Sequence, residues 1–231
     1  MERNLQPLSA LPTLAILGGT GKEGPGLAMR WALAGYAIII GSRKTEKAQA
    51  TAAKLNDQLN IETIKGMQNN EAAHSADICV LTVVYTAHRA ALEGLKEDLQ
   101  GKILVDATAR IDFRDPHPPS PPSAARIAQD ILGEGVRVVA AFQNVPAHVL
   151  SKNLGGTLDT DVMVCADDPA AADEIIELAG AAGMRAYFAG GLDNAIVVEG
   201  LTSLLISLNK NYSVKTASIG VTGIRDLGSD D

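Results

Sequence analysis

Thr13-Leu14-Ala15-Ile16-Leu17-Gly18-Gly19-Thr20-Gly21-Lys22-Glu23-Gly24 is the stretch on which the fold turns. An apolar run that breaks at glycines and passes directly into a helix leaves unpaired backbone N–H groups at the helix start. The aligned peptide dipoles there favour an anion such as pyrophosphate. Gly19, Gly21 and Gly24 fill the three spaced positions of a dinucleotide fingerprint. Glycine triplets also serve plain turns, so the flanking segments decide. Leu27, Met29, Arg30, Trp31, Leu33 and Ala34 form a helical segment, Gly35 closes it, and Tyr36-Ala37-Ile38-Ile39-Ile40 is the next buried strand. One complete βαβ unit results, with a dinucleotide expected at its turn.

The end of the second strand separates the two nicotinamide cofactors. An NAD site places Asp or Glu there for the ribose 2′-OH, and such a carboxylate repels a 2′-phosphate. Here the chain has Gly41-Ser42-Arg43-Lys44, with Lys47 about one turn further along the next helix. A hydroxyl, a guanidinium and one or two ammonium groups suit a phosphate monoester through charge-assisted hydrogen bonds. A solvated basic helix start is the alternative, but a basic cluster at a helix N-terminus works against the dipole unless an anion offsets it. NADP(H) is therefore the expected cofactor, held by Ser42, Arg43 and Lys47.

The 231 residues suffice for one large domain or two small ones, and a hydrophobic fraction of 46% is that of an ordinary globular protein. No uninterrupted apolar stretch reaches the roughly 18 residues of a membrane span. Residues 1–12 lack a basic start and an apolar centre, so a cytoplasmic location is expected. The net charge of −7 disfavours nucleic acid as a partner. Cys79 and Cys165 lie in apolar strand-like runs, as buried free thiols do. His74, His88, His117 and His148 are scattered without the spacing of a metal site, so no metal is expected.

Beyond the first unit, Thr45 to Leu59 reads as a polar helix and Ile61 to Gly66 as a short edge strand. Asn69 or Asn70 would cap a short helix from Glu71 to Ser75, and Asp77 to Val84 is a continuous apolar strand. Helix Thr86 to Leu95, strand Lys102 to Asp106, a helix capped by Ser123 and strand Arg137 to Phe142 follow. The alternation predicts an α/β fold, a Rossmann-type doubly wound and mostly parallel sheet. Five prolines between Asp112 and Pro122 interrupt it with a surface loop, either a lid or a rigid spacer. Strand Asp161 to Cys165, a helix after Asp167-Asp168-Pro169 and strand Arg185 to Ala189 form a smaller C-terminal α/β addition. A long helix then runs from Asp193 or Asn194 to about Tyr212, with Ile196, Val197, Leu201, Leu204, Leu205 and Leu208 at helical spacing. A boundary is expected between a 1–148 dinucleotide-binding domain and a 149–231 α/β and helical region.

These segments together resemble the F420:NADP oxidoreductases, NADPH-dependent reductases of a 5-deazaflavin coenzyme. The likeness runs from Thr13 to Ile224 and is carried by Gly18 to Ala28, Gly41 to Ala48, Asp161 to Asp168 and Asn194 to Asn209. The resemblance implies hydride transfer between NADPH and coenzyme F420, in a homodimer. It places Thr20, Gly21, Lys22 and Glu23 around the pyrophosphate and Ser42, Arg43 and Lys47 at the 2′-phosphate. Val84, Tyr85 and His88 would flank the nicotinamide, with His88 the one candidate polar contact or proton donor. Ala107 and Val145-Pro146-Ala147 would line the transfer junction, and Ile219 would meet the deazaflavin. The chain departs from the family pattern at Phe142-Gln143-Asn144, where relatives carry a histidine pair or His-Thr, and at Asp106 to Ile111. Both segments border the second substrate, so an NADPH reductase of an imine, a pterin or a small carbonyl compound remains an alternative, as does an NADPH-binding sensor.

Overall fold

Leu14–Leu17 forms β1, and all four side chains are buried because a central parallel strand is covered on both faces. Leu14 and Ile16 enter one apolar core, and Ala15 and Leu17 enter the other. The computed structural model describes residues 11–112 and 114–224. Most of the N-terminal segment, Phe113 of the proline loop and the terminal Gly-Ser-Asp-Asp lie outside the described residues.

β1 leads into α1 (Gly24–Leu33), β2 (Ile38–Ser42), α2 (Thr45–Leu59), β3 (Ile64–Gln68), α3 (Asn69–Ser75) and β4 (Ile78–Leu81). Then come α4 (Tyr85–Leu95), β5 (Ile103–Asp106), α5 (Ala124–Leu132), β6 (Arg137–Ala140), α6 (Ala147–Leu150) and β7 (Asp161–Ala166). α7 (Pro169–Ala181), β8 (Arg185–Phe188) and α8 (Ala195–Asn211) end the order. The sheet runs β3-β2-β1-β4-β5-β6-β7-β8. Its first six strands are mutually parallel; β7 pairs antiparallel with β6, and β8 runs parallel to β7. The order reverses at β1, which places a crevice at the carboxyl ends of β1 and β4. α1, α2 and α7 cover one face of the sheet, while α3, α4, α5 and the start of α8 cover the other. No helix among the described residues is long and apolar enough to cross a membrane.

Local chemistry explains most of the boundaries. Gly35 adopts φ 93° just past α1, where its N–H bonds the Ala32 carbonyl and that of Tyr36 bonds Trp31, satisfying the last turn. Asp168 accepts from the N–H groups of Ala170 and Ala171 to start α7, and Ser123 accepts from that of Arg126 to start α5. Burial pushes the Cys79 thiol up to about 12 and the Cys165 thiol up to about 11, as expected of inert core residues.

Four boundaries differ from the sequence reading. Gln68, not Asn69 or Asn70, caps α3, in a reciprocal box with Glu71, and Asn69 is thereby freed to bond Gly18. The edge strand begins at Ile64 because Asn60 turns through φ 53° and the Asn56 side chain bonds both the N–H and the carbonyl of Ile64. β4 ends at Leu81, whose carbonyl accepts from Ala107, and the chain then leaves the sheet. β6 stops at Ala140 because Phe142, fully buried, adopts φ 73° and turns the chain out of the strand.

Candidate functional site

The glycine turn is built by the protein's own packing at two of its three spaced positions. A Cβ at Gly19 would lie 2.6 Å from the Ile16 carbonyl oxygen, and one at Gly24 would lie 2.6 Å from the Gly19 Cα. Neither position has room for a side chain. At Gly21 a Cβ would meet nothing closer than 3.7 Å, so internal packing does not demand glycine there. A bare backbone at this point suits the close approach of an external group, as pyrophosphate binding requires. No side chain caps α1, whose first N–H groups face the same turn. The Gly18 N–H donates to Asn69 Oδ1 at 3.1 Å and that of Gly19 donates to the Gly41 carbonyl at 3.0 Å, so the turn is fastened to the end of β2.

That fastening brings Ser42, Arg43 and Lys47 beside the turn. Ser42 is buried, and its Oγ accepts from the Lys44 N–H at 3.3 Å. Arg43, Lys44 and Lys47 are exposed at the start of α2, which no side chain caps. Three cations and an uncapped helix start in one place favour an anion such as a phosphate.

A cavity of about 900 Å³ opens from the glycine turn across the carboxyl ends of the strands. Gly21, Lys22 and Glu23 form one end, Thr82 to Tyr85, Ala107 and Ala109 the floor, and Gln143 to His148 a wall. Thr202, Leu205, Ile206 and Asn209 of α8 face them, joined by Val214, Lys215 and Ala217. Thus Gly21, Lys22, Glu23, Val84, Ala107 and Ala147 share one cavity, with Gly19, Thr20 and Gly24 in the turn behind it. Ile219 is half-buried on the segment that follows α8; its carbonyl accepts from the Asp161 N–H at 2.8 Å, and it does not line the cavity.

Three cavity residues each hold a buried polar atom without a hydrogen-bond partner among the described residues: Glu23 Oε1, Gln143 Oε1 and Asn144 Oδ1. Buried polar groups are normally paired, so three in one cavity fit a polar ligand. Burial pushes the Glu23 carboxyl up to about 8, leaving it largely un-ionised at neutral pH.

His88 is placed differently from the reading above. It is fully buried under the cavity floor, where Nε2 lies 2.7 Å from Asp106 Oδ2. Asp106 Oδ1 accepts from the Thr108 N–H, and the Asp106 carbonyl accepts from Gln143 Nε2. His88 thus braces the turn that carries Ala107. Tyr85 does line the cavity; its ring lies 5.9 Å from that of His88 and 5.2 Å from the Arg110 guanidinium. Nearby, burial and then the Asp106 charge push the Glu199 carboxyl up to about 7, against the N–H groups of Ala124 and Arg110 that it accepts from.

The sequence reading missed the α8 wall. Thr202, Leu205, Ile206 and Asn209 recur at i, i+3, i+4 and i+7, so a second stripe was present in the sequence beside the apolar one.

The chain is similar to known proteins over most of its length. The family model described as NADP oxidoreductase, coenzyme F420-dependent, matches residues 13–110. The chain is 41% identical over 226 residues to the F420-dependent NADP reductase of Methanothermobacter marburgensis, covering 91% of this chain and 98% of that one. It is 39% identical over 227 residues to the protein of the same name from Methanocaldococcus jannaschii, with 91% and 98% covered. Among solved structures, a putative F420-dependent NADP reductase from an Arthrobacter species superposes with a TM-score of 0.76 at 24% identity, over 92% of this chain and all of that one. Pyrroline carboxylate reductase of Plasmodium falciparum, with NADP bound, shares the fold at a TM-score of 0.59 and 13% identity, over 88% of this chain and 65% of that one.

Proposed function

The chain belongs to the family of F420-dependent NADP oxidoreductases, and from that premise we propose that it transfers a hydride between NADPH and coenzyme F420. The observation that carries this reading is the cavity of about 900 Å³ whose lining joins the glycine turn at one end to α8 at the other. The bound nicotinamide and deazaflavin supply the hydride chemistry themselves, without a covalent enzyme intermediate. The protein's part is to hold the reacting carbons within about 3–3.5 Å and to keep water away.

In this reading Gly19, Thr20, Gly21, Lys22 and Gly24 receive the pyrophosphate, with Glu23 beside it as a neutral acid. Ser42, Arg43 and Lys47 hold the 2′-phosphate. Val84, Ala107 and Ala147 flank the transfer junction, Ile219 steadies the far wall, and His88 acts as a positioning residue through Asp106. Residues 1–148 carry the dinucleotide and 149–231 complete the second subsite. A homodimer belongs to the same proposal, since Val197, Leu204 and Tyr212 leave apolar surface exposed along α8. So does a cytoplasmic location.

The deciding experiment mixes the purified protein with NADPH and oxidised F420 and follows the deazaflavin absorbance. Bleaching at a rate proportional to enzyme is expected. NADPH binding without bleaching would reject the reading in favour of another acceptor or of a sensor.

A further inference from the structure

Residues 213–221 follow α8 and continue its wall of the cavity without forming a helix or a strand. The segment starts at a turn. Ser213 adopts φ 54°, a left-handed backbone uncommon outside glycine, and the Val214 N–H donates back to the Asn209 carbonyl at 3.0 Å. Val214, Lys215 and Ala217 then line the cavity, while residues 214–216 are exposed. A stretch with little buried apolar surface, held by a few hydrogen bonds, opens at much lower free energy than a packed sheet does.

The bonds that hold it converge. The Ala217 N–H donates to Asn209 Oδ1 at 3.0 Å and Ser218 Oγ to the Asp159 carbonyl at 2.9 Å. The Ile219 carbonyl accepts from the Asp161 N–H at 2.8 Å, and the Val221 N–H donates to Asp161 Oδ2 at 2.6 Å. Asp161 is only 1% exposed, and Arg185 of β8 fixes its carboxylate, donating from Nε to Oδ1 and from Nη2 to Oδ2, each at 2.9 Å. Its carbonyl accepts from Nδ2 of Asn144, a residue of the cavity wall. One buried side chain thus ties the segment to β7, β8 and the wall.

We infer that residues 213–221 are a strap, hinged at Ser213 and latched by Asp161, whose release lets the second substrate enter and leave the cavity. The inference rests on the F420 reading. The strap adjoins α8, whereas the dinucleotide is received at the glycine turn and the end of β2, so release acts on one ligand and spares the other.

Hydrogen exchange on the ligand-free protein, read by mass spectrometry, tests the latch. The bonded amides of Ala217 and Val221 should exchange at least about a hundredfold faster than those of β1. Asp161→Asn keeps the side-chain shape without the charge and should speed them about tenfold further, beyond any change in β1. Strap amides as slow as those of β1, or unmoved by Asp161→Asn, would overturn the inference. A cross-link tests the gate. Asp159→Cys with Ser218→Cys sets two thiols where the Ser218 bond ties the strap down, and Cys79 and Cys165 are buried away from them. Oxidation of this variant should lower kcat/KM for F420 by about tenfold or more, with NADPH affinity within about twofold, and dithiothreitol should restore the rate. Undiminished turnover by the cross-linked protein would overturn the inference, as would a parallel loss of NADPH affinity. Absence of F420 turnover even in the wild-type protein would remove the functional reading and the gate with it, while the exchange measurement judges the latch independently.

Discussion

Arg43 and Glu23 are the single side chains on which the proposed dinucleotide half of the site is most directly tested. Arg43 is exposed at an uncapped helix start, so its role is readable as a difference between two ligands. Arg43→Ala should weaken NADPH by about 10- to 100-fold, the worth of a charge-assisted hydrogen bond, while NADH affinity stays within about twofold. Titration of both cofactors by nicotinamide fluorescence checks this, and an equal loss for the two would remove Arg43 from the 2′-phosphate site. Glu23 gives a pH signature instead. Burial lifts its carboxyl from 4.5 to about 8, so at neutral pH it is largely un-ionised and adds little negative charge at the proposed pyrophosphate position. Once it ionises, like-charge repulsion should raise the NADPH Kd by about tenfold between pH 7 and pH 9, and Glu23→Gln should flatten that rise. The same shift acts on stability. Because the folded-state value exceeds the unfolded one, this group's favourable contribution is complete below pH 4.5 and is lost as pH rises through 8. The melting temperature of the wild-type protein should accordingly fall relative to Glu23→Gln over that window; parallel curves would show that Glu23 ionises freely.

At the scale of elements, the proline loop and α8 act as one unit. Glu199 on α8 accepts from the Arg110 N–H at 3.1 Å and the Ala124 N–H at 2.6 Å, thereby gripping the two bases of the loop. Arg110 donates from Nη1 to the Ser120 and Pro122 carbonyls, which closes the loop on itself. Pinning at the base and stiffening by proline favour the rigid spacer over the lid. Glu199→Ala should cost about 1–3 kcal/mol, since it leaves two N–H groups unpaired, and should speed proteolysis between residues 111 and 122. A urea midpoint and a digestion time course measure the two effects, and unchanged cleavage would show that the loop is held by its prolines alone. The first βαβ unit was legible in the sequence because everything that makes it is local: the glycine turn, the cap at Gly35, and Ser42-Arg43 directly after β2. The same holds for Asp168 and Ser123 as helix caps. Glu199 could not be read this way, because its partners lie 75 and 89 residues away in the chain. Phe142 carried no local sign of its left-handed backbone, which tertiary packing imposes through edge-on contact with Trp31 at 5.7 Å.

For the whole molecule, α1 joins the two halves of the site. Its N-terminus faces the glycine turn, and seven residues into the helix Arg30 reaches the C-terminal addition. Among the described residues the buried Arg30 guanidinium has no carboxylate partner and is satisfied by backbone carbonyls alone. It donates to Leu150 at 2.9 Å, Gly156 at 3.0 Å and Ala182 at 2.9 Å, and also to Lys152 and Asn153. One side chain therefore anchors α6, the connection into β7 and the end of α7. Trp31 reinforces the joint through Nε1, which donates to the Leu178 carbonyl at 2.8 Å. A planar fork with five donors can serve such a set of acceptors, and a lysine with three cannot. Arg30→Met, of similar length and without donors, leaves these carbonyls to find other partners and should destabilise the fold by at least about 3 kcal/mol. Since α6 and the turn before it form the wall opposite α8, the loosening should act selectively. The KM for F420 is expected to rise severalfold, while NADPH affinity, set by the turn and the end of β2, changes by less than twofold. A denaturant midpoint gives the first quantity, and steady-state kinetics with a separate NADPH titration give the second. An equal loss for both ligands would mean that the halves of the site move together and that Arg30 does not set the second wall independently.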